Sequence, residues 1–190
     1  MFRRGYIRKV RRAPVLAALA LAGAFMAMDA QAGLLRQAGY KVHDGADRLI
    51  ADFLDSRNIR DIYAWRQWLS ENIRYNKDLN GDDWSSPIVT LKRGSGDCED
   101  YAILNRAVLR VLGHRADIYV VERWAASHAI CIFSYDIGGT LYWGYTDNDR
   151  FVITEQSDFK TFTRELLSVN RYSGLTKYSQ RYTRRKGATS

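Results

Sequence analysis

Apolar positions recur at helical spacing twice in the first third of the chain. Ala46, Leu49, Ile50, Phe53 and Leu54 predict an amphipathic helix opened by Asp44 or Asp47. Ile62, Trp65, Leu69 and Ile73 predict a second helix running to about Tyr75. The pattern then breaks: from Asn76 to Lys92, Asn80-Gly81, Asp82-Asp83, Ser85-Ser86 and Pro87 make a polar, turn-rich segment, long for a connector. It leads straight into Gly94 and is expected to lie against whatever follows. From Cys98 to about Leu112 apolar residues fall on several sides, as in a buried central helix, and Gly113 supplies its stop. His114 then falls just past the helix, as a surface residue, and His43 reads the same way. Beyond this the period shortens. Val120-Val121, His128 to Tyr135, Thr140 to Thr146 and Phe151 to Ile153 read as strands, with Gly138-Gly139 as a hairpin turn between the middle pair. Ser157-Asp158 can cap a last helix that turns Phe159, Phe162, Leu166 and Leu167 inward. Helices, a cysteine-bearing helix and then an antiparallel sheet make an α+β arrangement.

The N-terminus reads as an address rather than a fold. Arg3, Arg4, Arg8, Lys9, Arg11 and Arg12 precede an apolar run from Ala13 to Met28, and Ala30-Gln31-Ala32 offers small residues where a signal peptidase cuts. Residues 1–32 are therefore expected to be a cleavable signal peptide, with a periplasmic destination. A membrane anchor is the alternative, but the run is short for a bilayer and ends at Asp29. The signal also carries much of the charge. Without it the chain holds 23 basic and 20 acidic residues, a net of +3 against +8 for the whole, so the high pI says little about nucleic acid. Residues 33–175 suffice for one domain with a real core. Residues 176–190 form a basic C-terminal tail, either solvated or drawn to anionic envelope polymers.

The candidate chemistry gathers at Gly94-Ser95-Gly96-Asp97-Cys98-Glu99-Asp100. The glycines allow a sharp bend, Asp97 can cap a helix start, and Cys98 then takes the first helical position, where the helix dipole favours thiolate. A nucleophilic cysteine needs a base and the base an orienting group. His128 opens one strand-like run and Asp147 closes the next, so Cys98, His128 and Asp147 are the expected catalytic set. Asn148 and Asp149 are alternatives to Asp147. The backbone N–H of Cys98 is the natural oxyanion donor. Cys131 lies three residues after His128, on the opposite strand face, and reads as a buried apolar residue or as a disulfide partner of Cys98.

Carboxylates around a thiol oppose its ionisation, and Asp97, Glu99 and Asp100 surround Cys98. Two readings stay open. The carboxylates cap the helix start and point away from sulfur, or they hold a hard cation.

Trp84, Pro87, Thr90-Leu91, Arg93-Gly94, the block Gly96-Asp97-Cys98-Glu99-Asp100-Tyr101-Ala102, His128 and Asp147-Asn148 together resemble the bacterial transglutaminase-like cysteine peptidases. The best known members of that family are periplasmic proteases that clip surface adhesins. The resemblance implies a papain-like or transglutaminase-like core and assigns Cys98, His128 and Asp147 as nucleophile, base and orienting residue. It also implies calcium as cofactor, with Asp97, Glu99 and Asp100 as ligands. It implies a protein or peptide substrate in the cell envelope and a membrane-bound regulatory protein as partner. The departures are Ile88-Val89, where an acidic residue is common, and Asp149, where an apolar one is usual. The expected function is a periplasmic cysteine peptidase; the alternatives are a transglutaminase-type acyltransferase or a noncatalytic peptide-binding module of the same fold.

Overall fold

A computed structural model describes residues 45–78, 84–123 and 126–178. The expected signal peptide and His43 lie outside these residues. Among the described residues no helix is long and apolar enough to cross a membrane.

Helix α1 (Gly45–Ser56) buries Ile50 and Leu54 completely, one above the other at i and i+4. Leu49, expected on the same face, is half exposed because it sits about 100° round from Ile50. Helix α2 (Ile62–Asn72) starts at Asp61, whose carboxylate accepts the Ala64 N–H at 2.8 Å, and buries Ile62, Trp65 and Leu69. It stops short of Tyr75. Arg74–Tyr75 (β1) instead pairs in parallel with Ser95–Gly96 (β2), which takes the backbone out of the helix.

The connector contains a helix that its turn residues concealed, α3 (Pro87–Arg93). Pro87 stands in its first turn, and Gly94 ends it in the left-handed conformation at φ +67°, returning its N–H to Thr90 O. The central helix α4 (Cys98–Val111) packs on two sides. Tyr101, Leu104 and Val108 join Ile50, Leu54, Trp65 and Leu69 in the core shared with α1 and α2. Leu109 joins Ala116, Cys131 and Phe133 against the sheet.

The sheet holds β3 (Arg115–Arg123), β4 (Ala126–Ile137), β5 (Thr140–Asp147), β6 (Arg150–Ile153) and β7 (Gly174–Lys177), in the order β6-β5-β4-β3-β7, every pair antiparallel. Both residues of the β4–β5 turn have positive φ, Gly138 at +62° and Gly139 at +85°, as a two-residue hairpin turn requires. On β4, Cys131 and Phe133 face α4, while Ile130 and Ile132 face the last helix, α5 (Phe159–Asn170), through Phe162 and Leu166. Asp158 caps α5 by accepting the Thr161 N–H at 2.8 Å.

Other expectations change too. The basic tail expected from residue 176 begins inside the sheet: β7 runs to Lys177, and Tyr178 N–H bonds Ile118 O at 2.9 Å. His114 is not a surface residue. It packs edge-on to Phe133 with ring centroids 6.4 Å apart, and burial lowers its pKa. Cys131 is fully buried and, like Cys98, is a free thiol, so no bridge joins them.

Candidate active site

Cys98 begins α4 with its side chain partly buried. Gly96 makes that placement possible by its size. A Cβ there would sit 2.5 Å from Asp100 Cβ, so the strand β2 approaches the first turn of α4 only without a side chain. Asp100 is fully buried, accepts the Ser85 N–H at 2.9 Å and forms an ion pair with Arg93. It locks the connector and α3 onto the start of α4. This is why Asp100 leaves the acidic set expected for a cation.

Asp97 and Glu99 stay, and Asp78 joins them: one carboxylate oxygen from each lies within 4.8 Å of the other two. Asp97 is only 6% exposed. Its backbone carbonyl accepts the Tyr101 N–H at 3.0 Å, but its side chain does not cap the helix. Oδ2 accepts the Asp78 N–H at 3.4 Å, and Oδ1 is buried with no hydrogen-bond partner.

The thiol sits in this field. Cys98 Sγ donates to Glu99 Oε2 at 3.1 Å. Burial first, then that bond and the charges of Glu99 and Asp97, push the thiol up to about 12, although the Ala129 N–H opposes them. The helix-start preference for thiolate is thus outweighed in this arrangement.

His128 Nε2 lies 2.7 Å from Asp147 Oδ1, with side chains 26% and 22% exposed. Pairing between β4 and β5 runs from Ile137↔Thr140 to Cys131↔Thr146, so His128 and Ala129 extend past the last pair. There Ala129, clustered with Ala102 and Ile118, forms the buried surface against which Cys98 packs. The structure therefore joins His128 to Asp147 and sets Cys98 against the residue next to His128. Among the described residues no hydrogen bond joins Cys98 to His128. The alternatives to Asp147 take other places: Asn148 adopts φ +53° with its side-chain oxygen unpartnered, and the charge of Asp149 acts on Tyr101.

Several side chains escaped sequence reasoning. Tyr75 stacks on Tyr101, and its pKa is raised by burial and by the charges of Cys98, Asp97 and Glu99. Tyr172 is raised to about 12 by burial and by Asp147. Trp84, which the sequence did single out, stacks on Tyr178 with centroids 4.3 Å apart, pinning the connector to the end of β7; only its partner went unforeseen. No local spacing signals these contacts, because each partner comes from a distant segment.

Residues 48–155, spanning Cys98, His128 and Asp147, match the family model of the Transglutaminase-like superfamily. The chain belongs to this superfamily. The mixed architecture, with a cysteine-bearing helix on an antiparallel sheet, is the transglutaminase-like α+β fold. Among solved structures, that of a candidate cysteine protease from Cytophaga hutchinsonii is similar at 26% identity and a TM-score of 0.43, over 56% of this chain. This transglutaminase-like chain spans 38% of that protein's length. No curated protein matches it.

Proposed function

We propose that the protein is an exported cysteine peptidase that hydrolyses peptide bonds of an envelope or surface protein through Cys98, His128 and Asp147. The observation that carries this reading is the 2.7 Å bond between His128 Nε2 and Asp147 Oδ1, beside a cysteine at the start of a buried helix. An imidazole held through Nε2 presents Nδ1 as its basic nitrogen. The thiol turns from Glu99 to that nitrogen and gives up its proton, and the thiolate attacks the substrate carbonyl carbon. The peptide C–N bond breaks as the imidazolium protonates the leaving amine. Water then adds to the thioester, losing its proton to the same nitrogen, and the acid and the free thiol are released. The Cys98 backbone N–H faces the developing oxyanion.

Asp78, Asp97 and Glu99 fit calcium. All three are hard oxygen donors, and the unpartnered buried Oδ1 of Asp97 is an atom that a cation would satisfy. Bound there, calcium would supply positive charge next to the thiol. A membrane-bound regulatory protein would be the partner that gates access to Cys98.

A thiol bonded to a carboxylate and pushed up to about 12 favours a second reading, a noncatalytic peptide-binding module. The test is N-terminal labelling of cell-envelope proteins incubated with the protein or with Cys98→Ser, in calcium and with a primary amine added. New N-termini that depend on Cys98 support the peptidase. Amine incorporation without new N-termini transfers the protein to acyl transfer, and neither product leaves the binding module.

A further inference from the structure

Asn105 is an unusual residue for its place. It lies in the middle of α4, is 0% exposed, and stands seven residues after Cys98, two turns along the same face and about 10 Å away. An apolar side chain would fill such a site without desolvating an amide, so a buried asparagine is tolerated only where its bonds are made. Asn105 makes three. Its Oδ1 accepts the Trp65 Nε1–H at 2.8 Å, and its Nδ2 donates to Thr146 Oγ1 at 3.1 Å and to Asn148 O at 3.0 Å.

The two acceptors of Nδ2 flank Asp147. Thr146 is the last β5 residue paired with β4, opposite Cys131, and Asn148 is the left-handed residue that turns the chain into β6. One amide group therefore grips the chain on both sides of the aspartate that holds His128, by a side-chain hydroxyl before it and a backbone carbonyl after it, from the helix that carries Cys98. Nothing else among the described hydrogen bonds links a side chain of α4 to this turn.

We propose that Asn105 is a positioning residue: its Nδ2 fixes the Asp147–His128 pair relative to Cys98 by holding Thr146 and Asn148 to the cysteine helix. This rests on the peptidase reading for its purpose, though not for its geometry. Trp65 satisfies the other end of the amide, its indole N–H donating to Oδ1, while Asn148 O, a carbonyl that can only accept, keeps Nδ2 facing the turn.

Asn105→Asp tests this most cleanly. It preserves size and the acceptor for Trp65, but places an acceptor against Asn148 O, where the donor was. Thr146→Val is the second variant, removing one acceptor with little change of volume, and Trp65→Phe is the control that lowers stability while leaving both Nδ2 bonds possible. Two quantities are read: the low-field Nε2–H proton of His128, assigned by its loss in His128→Gln, and the iodoacetamide alkylation rate of Cys98 in calcium. In Asn105→Asp the proton signal disappears and alkylation slows at least tenfold. In Thr146→Val the signal broadens and the rate falls severalfold, and in Trp65→Phe both persist despite a lower Tm. If Asn105→Asp or, should it not fold, Thr146→Val keeps the signal and a rate within twofold of wild type, the proposal is overturned. If wild-type alkylation proves indifferent to His128, the peptidase reading fails; the proton signal alone then decides for or against the positioning role.

Discussion

Replacing Arg93 with alanine strips the fully buried Asp100 carboxylate of its only ion-pair partner among the described residues. Breaking a wholly buried pair in this way costs about 3–5 kcal/mol. Two features reduce that here. Arg93 is 37% exposed, so its attraction is screened, and the Ser85 N–H remains bonded to Asp100 Oδ1. A loss of about 2–3 kcal/mol is the working figure. The pH dependence follows from the direction of the Asp100 shift. Burial raises its pKa above the ordinary carboxylate value even with Ser85 and Arg93 opposing, and removal of Arg93 raises it further. A carboxyl whose folded pKa is raised binds more protons folded than unfolded, so its destabilising effect is absent below the unfolded pKa and develops as pH rises through the folded one. The Arg93→Ala penalty is therefore largest near neutrality and shrinks in acid. Urea denaturation at several pH values measures it, and Arg93→Ala combined with Asp100→Asn, which has no charge to strand, recovers most of the loss. A penalty below about 0.5 kcal/mol that is flat with pH would refute the reasoning.

Further predictions follow from the same contacts. Gly96→Ala drives a Cβ to 2.5 Å from Asp100 Cβ, so it destabilises by about 1–3 kcal/mol and, by shifting the first turn of α4, slows Cys98 alkylation more than a surface control of equal Tm loss. His114 has a folded pKa lowered by burial, so its contribution is fully present above the unfolded value near 6.5 and is lost as pH falls from there; His114→Gln flattens that part of the urea stability profile. Cys131, wholly buried with its thiol pushed far up, stays unalkylated in the native protein and reacts only after denaturant is added.

The elements that depend on local periodicity were legible: both early helix stripes, α4, the β4–β5 hairpin and the Asp158 cap all follow from residues close together in sequence. The elements that depend on a distant partner were not. β1 and β2 are two-residue strands that exist only through each other, and β7 is a strand because β3 offers it an edge. Helix α3 did leave a signal, Ser86-Pro87 at one end and Gly94 at the other, but the surrounding turn residues hid it. The site divides the same way. His128 and Asp147 could be picked from the strand ends, and Gly96-Asp97-Cys98 from the loop. That Asp100 would turn to Arg93 while Asp78 turned to Asp97 depends on how α3 folds back, which spacing does not encode. Asn105 reads as a misplaced polar residue in a core helix until the β5–β6 turn is seen against it.

The most direct test is the alkylation rate of Cys98 by iodoacetamide at neutral pH, read by peptide mass spectrometry with Cys131 as internal control, in calcium, in chelator and in His128→Ala. The account predicts fast modification of Cys98 in calcium, at least tenfold slower in chelator and in His128→Ala, with Cys131 untouched throughout. Cys98 that reacts no faster in calcium than in chelator, and is indifferent to His128, would contradict it.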